Sequence, residues 1–221
     1  MGKNGIWEEI FRSRPWGRYP SEALIRFVAA NFYKASSRRD IAILEVGCGP
    51  GRNLWYIAKE NFSVYGIDGS PSAISLAKVI LDDESPGWKG ELRAGDIRKL
   101  PYQDNEFDAA IDSEAIYCNS WEDARIIYQE MYRVTKKGGK MLSITFSDDC
   151  DGNVERDNKR ALKDVVKGPL AYGKKARFTS HDDIAEMIYP WTIETVDFQM
   201  HSVGGWKEGV KVAEWIITAK K

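Results

Sequence analysis

Between residues 21 and 146 the apolar positions alternate between two patterns: stripes at three- and four-residue spacing, and short runs rich in Val, Ile and Phe. The stripes predict amphipathic helices and the runs predict strands. Ser21 is a candidate N-cap for a helix through about Ala35, with Leu24, Phe27, Val28 and Phe32 on one face. A first strand ends at Val46 and a helix covers residues 52–60. A second strand spans residues 62–68. Ser70 then supplies an N-cap and Pro71 the first helical position, with Ile74, Ala77 and Leu81 facing inward. A short third strand covers residues 91–94 and a fourth covers 107–111. Ser120 and Asp123 have capping-box spacing, and Ala124, Ile127, Tyr128, Met131 and Val134 form the stripe of the next helix. Gly138-Gly139 ends that helix, and a fifth strand covers residues 140–146.

Five alternations of strand and helix predict a parallel sheet covered on both faces. After residue 146 the pattern changes. Residues 147–177 are polar, with eight Lys/Arg among six acids. A helix follows Ser180. Two late strands, residues 192–201 and 210–219, are joined through Gly204-Gly205 and predict an antiparallel hairpin at the sheet edge.

Composition narrows the class. The chain has 221 residues, 43% hydrophobic and 29% charged, as expected for a globular α/β domain. A net charge of -1 argues against electrostatic capture of nucleic acid. No apolar run approaches the roughly 20 residues of a membrane span, and the first residues lack a signal-peptide core, with Ile6 where a myristoylation signal wants Ser or Thr. Three scattered cysteines, Cys48, Cys118 and Cys150, have no metal-ligand spacing and read as reduced thiols. The expectation is a cytoplasmic protein, monomer or homodimer, with no membrane partner and no metal.

Candidate chemistry concentrates where the strands end. In an open parallel sheet, ligands sit beyond the carboxyl ends of the strands. Glu45 and the Gly47-x-Gly49-x-Gly51 turn follow the first strand, Asp68 the second, Asp96 the third and Asp112 the fourth. Glycines there let the backbone turn sharply and approach a ligand closely. Four acids at four strand ends suit a ligand rich in donors and carrying positive charge, and would serve a pyrophosphate poorly. The glycine spacing also differs from the G-x-G-x-x-G of dinucleotide-binding turns.

At these residues the chain resembles the class I S-adenosylmethionine-dependent methyltransferases. The resemblance rests on Leu44-Glu45-Val46-Gly47-Cys48-Gly49-Pro50-Gly51, Gly66-Ile67-Asp68-Gly69-Ser70, Gly95-Asp96-Ile97 and Phe107-Asp108-Ala109-Ala110-Ile111-Asp112, in the family's order. Lys136-Lys137-Gly138-Gly139 and the closing Trp215–Lys221 extend it over residues 41–221. It implies a Rossmann-like, doubly wound, mostly parallel seven-stranded sheet with an antiparallel C-terminal edge strand, in one domain spanning residues 1–221. It implies S-adenosyl-L-methionine as cofactor and S-adenosyl-L-homocysteine as product. Gly47, Cys48 and Gly49 would meet the methionine part, and Glu45 its ammonium. Asp68 would accept from both ribose hydroxyls, a task needing two oxygens on one side chain. Gly69 would leave room beside the adenine, Asp96 would accept from its amino group, and Ile97 would lie on the ring. Asp112 would sit beside the methionine moiety, and Asn53 would touch the cofactor.

The acceptor side is less defined. The cofactor carries the difficult chemistry, so a base is needed only if the acceptor loses a proton. Candidates are Asp112, Glu114, Tyr117, His181 and His201. Residues 1–40 are expected to form a helical lid bearing Trp7, Trp16 and Tyr19, and residues 147–177 a substrate-recognition insertion bearing Tyr172. Trp16, Tyr19, Tyr117 and Tyr172 are the acceptor-binding candidates, for a small-molecule acceptor. Two other readings are a nicotinamide-dependent oxidoreductase and a non-catalytic cofactor-binding subunit.

Overall fold

The computed structural model describes residues 3–151, 160–165, 170–173, 175–205 and 209–221. Helix α1 (Lys3–Ser13) and helix α2 (Glu22–Phe32) precede the sheet. The Ser21 hydroxyl accepts from the Leu24 amide and caps α2, whose Leu24, Phe27, Val28 and Phe32 are buried as the stripe predicts. Strand β1 (Ala42–Val46), helix α3 (Arg52–Lys59), strand β2 (Ser63–Asp68), helix α4 (Pro71–Glu84), strand β3 (Gly90–Ala94) and strand β4 (Phe107–Ser113) follow. Ser70 caps α4 by accepting from the Ala73 amide, and Pro71 opens it.

Helix α5 (Trp121–Val134) runs straight into strand β5 (Thr135–Phe146). The helix therefore ends before Gly138-Gly139, not at it. Gly138 adopts a φ of 78° within the strand. A Cβ on Gly139 would lie 2.9 Å from the Asp108 carbonyl oxygen, so glycine is needed there for close approach to β4. The segment after β5 contains a small hairpin of β6 (Lys163–Asp164) and β7 (Lys175–Ala176) that no periodicity predicted. After Ser180 a 3-10 turn, His181–Asp183, leads into the short α6 (Ile184–Ile188), and β8 (Thr192–Val203) and β9 (Val210–Lys220) close the chain.

The seven strands order as β3-β2-β1-β4-β5-β9-β8. Strands β1 to β5 are mutually parallel, and β9 inserts antiparallel between β5 and β8. The C-terminal hairpin thus occupies the sheet edge, in the expected α/β architecture. Alternate residues of the central strands feed two cores, since successive side chains point to opposite faces. Leu44, Val46 and Ala110 pack against Ile127, Tyr128 and Met131 of α5. Ile43, Ile111 and Leu142 pack against Leu54 and Ile57 of α3 and Phe27 of α2. The strand order reverses between β1 and β4, and the crevice this opens positions the site.

Candidate cofactor and acceptor cavity

A cavity of about 540 Å³ lies beyond the carboxyl ends of β1 to β4. The glycine turn forms its floor. The amides of Gly47 and Cys48 both donate to the Ile67 carbonyl, at 2.7 and 3.2 Å, which ties the turn to β2. Gly47 has a φ of 67°, and a Cβ there would lie 2.3 Å from that of Ala115. Only glycine fits the turn at that point.

Glu45 and Asn53 form a buried pair on one wall. Asn53 Nδ2 donates to Glu45 Oε1 at 2.5 Å. Glu45 Oε2 and Asn53 Oδ1 are buried and have no partner among the described residues. Burial pushes the Glu45 carboxyl up to about 8, despite the Asn53 bond and the nearby Arg52 charge. Asp68 accepts from the Gly49 amide through Oδ2 at 2.9 Å and from the Ser70 amide through Oδ1 at 2.8 Å. Each oxygen keeps further acceptor capacity. Burial raises its carboxyl as well.

Asp96, Ile97 and Gly69 line the same cavity. Asp96 is exposed and held by Arg98. The Arg98 amide donates to Oδ1 at 2.9 Å and the guanidinium to both carboxylate oxygens. Those bonds hold the Asp96 carboxyl below the usual range. Arg98 also reaches Asp123 at 3.3 Å, joining the β3 end to the start of α5.

A cluster of aromatic rings forms another part of the lining. Trp7, Phe11 and Trp16 pack on one another, with ring centroids 5.3 to 6.1 Å apart, and all three line the cavity. Glu8 fastens this wall. Its carboxylate accepts from the hydroxyls of Ser70 and Ser72, each at 2.5 Å, at the start of α4. Those bonds lower the Glu8 carboxyl.

A family model described as a methyltransferase domain matches residues 37–192. The chain belongs to the class I S-adenosylmethionine-dependent methyltransferases. The cofactor is S-adenosylmethionine. The chain is similar to norajmaline N-methyltransferase of Rauvolfia serpentina, 27% identical over 62% of this chain and 48% of that one. It is also similar to the ubiquinone/menaquinone biosynthesis C-methyltransferase of Geobacter sp. (strain M21), 32% identical over 48% of this chain and 45% of that one. It therefore spans about half the length of these curated relatives. Among solved structures, one described under conversion of a disulfide bond into a thioacetal group during echinomycin biosynthesis superposes with a TM-score of 0.74. It is 22% identical and covers 99% of this chain and 92% of its own. At these identities the solved structures support the fold.

Within this methyltransferase domain, nine of the ten expected cofactor residues line the one cavity: Glu45, Gly47, Cys48, Gly49, Asn53, Asp68, Gly69, Asp96 and Ile97. The expectation for Asp112 changes. It is fully buried behind the cavity wall. It accepts from the amides of Ala115 and Ile116 at 3.0 Å, the Ser143 hydroxyl at 2.7 Å and the Tyr128 hydroxyl at 3.4 Å. Burial still lifts its carboxyl to about 6. These bonds organise the loop after β4 and leave the side chain facing the core.

Other acceptor-side expectations also shift. Tyr117 is buried against Phe146, ring centroids 4.7 Å apart, and does not line the cavity. His201 lies exposed on the edge strand β8, opposite Val212. His181 is exposed beside the Trp215 ring. Tyr19 is 68% exposed and packs on Trp55, away from the cavity. The backbone of Tyr172 lies in the 3-10 turn Ala171–Gly173, and its side chain is outside the described residues. Trp16 and Glu114 are at the cavity. Sequence reasoning missed Phe11, Arg98 and Asp123. The i, i+4 pairing of Trp7 with Phe11 was the available signal for the first.

Proposed function

We propose that this chain transfers the methyl group of S-adenosylmethionine to a small-molecule acceptor by in-line displacement. One observation carries the reading: acceptor atoms at the ends of β1 and β2, with capacity to spare, belong to residues that line an aromatic-walled cavity. This donor-hungry set fits the cofactor. Glu45 and Asn53 hold the ammonium. Asp68 accepts from the ribose hydroxyls, and the Gly47-Cys48-Gly49 backbone lies along the methionine chain. Gly69, Asp96 and Ile97 surround the adenine. For Asp96 to accept from the adenine amino group, Arg98 shares or releases one carboxylate oxygen.

When bound, the sulfonium supplies an already activated methyl group. The chain's own work is positioning and exclusion of water. Residues 1–221 act as one domain, in which α1 is a lid fastened by Glu8. Residues 147–177, only partly within the described residues, supply acceptor recognition. The aromatic wall of Trp7, Phe11 and Trp16 favours a small apolar acceptor over a polynucleotide, although a transfer RNA methyltransferase stands among the relatives beside alkaloid, sterol and quinone enzymes.

Two measurements test this reading. Calorimetry should show S-adenosylhomocysteine binding and no NAD binding. A labelled-methyl transfer screen against small-molecule extract should then yield a labelled product. Binding of NAD without S-adenosylhomocysteine, or binding without transfer to any small molecule, overturns it.

A further inference from the structure

With the cofactor placed as above, the remaining wall of the cavity belongs to the acceptor, and its charge balance is unusual. Glu114 follows β4 with a φ of 56°, a left-handed conformation that side-chain-bearing residues adopt at a cost. Its amide donates to the Ile144 carbonyl at 3.0 Å, which holds it there. The turn aims the carboxylate into the cavity, where it meets Arg52 at a loose 3.6 Å. Behind them, on β9, Glu214 is 7% exposed and accepts no hydrogen bond among the described residues. Glu114 and Arg52 are the charged groups that act on it. Arg52 pairs with Glu114, and its charge reaches Glu214 without an ion pair among the described residues. The rings of Trp7, Phe11 and Trp16 line the same cavity.

A cavity carboxylate held by one loose ion pair, with a second buried acid behind it, has a deficit of positive charge that, beside aromatic rings, suits a nitrogen cation on an apolar frame. An alcohol or a carboxylate would leave that deficit unfilled. We propose that the acceptor is an apolar amine and that Glu114 binds it and takes its proton, with Glu214 and Arg52 as positioning residues. The bound ammonium first gives one proton to the Glu114 carboxylate, which passes it to solvent, and the freed lone pair forms the new N–C bond. The C–S bond breaks, and its electron pair stays on sulfur. The methylated product leaves as its ammonium, keeping the second proton. No further reactant is required.

This inference rests on the cofactor reading, and the test separates the two. S-adenosylhomocysteine affinity is measured first, since failure there sinks the cofactor reading itself. Labelled S-adenosylmethionine is then supplied with a panel of apolar aromatic and alicyclic secondary amines, and with matched alcohols, phenols, thiols and carboxylic acids. Label should enter the amines alone. Glu114→Gln should lower kcat/KM for the best amine by at least ~100-fold, the low end of a proton-transfer contribution, with S-adenosylhomocysteine affinity unchanged. Glu214→Gln should raise the amine KM and spare kcat. Label in the oxygen, sulfur or acid panels, label in no panel, or full amine transfer by Glu114→Gln overturns the proposal. If Glu114→Gln loses cofactor binding through misfolding, the panel with the unaltered chain decides.

Discussion

Glu45 and Asp112 stand on neighbouring strands, one register step apart, and both are buried. Burial raises both carboxyls. Their bonding differs completely. Asp112 accepts from two amides and two hydroxyls, so its lone pairs are spent inside the protein. Among the described residues Glu45 accepts from Asn53 alone and keeps one oxygen unpartnered. A buried carboxylate with its acceptor capacity filled is part of the frame, and one with capacity left over awaits a ligand. The β1–β2 rim is of the second kind and the β4 rim of the first.

Substitutions can break this contrast. The largest effect is expected at Asp112→Ala, which strands two amides and leaves the Tyr128 and Ser143 hydroxyls only their bond to each other. It should cost about 3–5 kcal/mol of stability, since each orphaned buried group costs about 1–3 kcal/mol and neighbours relax. Thermal unfolding should show a Tm lower by about 10 °C. S-adenosylhomocysteine affinity of the folded fraction should barely change. A stable Asp112→Ala protein that no longer binds would place Asp112 with Glu45 after all.

Asp68→Asn comes next. It keeps the shape and one acceptor but removes the charge. Hydrogen bonds to charged groups contribute about 1.5–3 kcal/mol, so affinity should fall about 10- to 100-fold by calorimetry. Unchanged affinity would remove the ribose contact from the site.

Glu45 sharpens the contrast through protons. Its carboxyl lies near 8 in the folded ligand-free chain and near 4.5 when unfolded. The folded state therefore holds the extra proton between those values, and stability should fall as pH rises through that window. An arriving ammonium favours the ionised form, so binding near pH 7 should release protons. Calorimetry in buffers of differing ionisation heat measures that release. Glu45→Gln should abolish it and weaken binding about tenfold, equivalent to one charged hydrogen bond. Proton uptake on binding would contradict the ammonium assignment. The smallest effect is expected at Glu8→Gln, which loosens the bonds of α1 to Ser70 and Ser72. Affinity should drop only a few-fold, read as faster cofactor release in stopped-flow fluorescence of Trp7 and Trp16.

Much of the site was legible because it is local. Glycine spacing, a strand-terminal Asp68 and the Ser70-Pro71 cap each act within a few residues, and the resemblance tied them to one cofactor. Asp112 misled because a strand-end acid can turn into the cavity or into the core, and only the Ser143 and Tyr128 hydroxyls across β5 and α5 settle which. His201 misled because both faces of an edge strand are open, so alternation there carries no inside and outside.

Period and turn chemistry alone specify the α/β alternation, the glycine floor and the β1–β2 acceptor atoms, since those depend on backbone geometry and neighbours in the chain. Packing decides everything that joins distant segments. The aromatic wall of α1 over the cavity, and the meeting of Arg52, Glu114 and Glu214, come from three or more elements whose side chains converge only after the sheet has formed. No local preference encodes such a convergence, because its energy exists only in the assembled contacts.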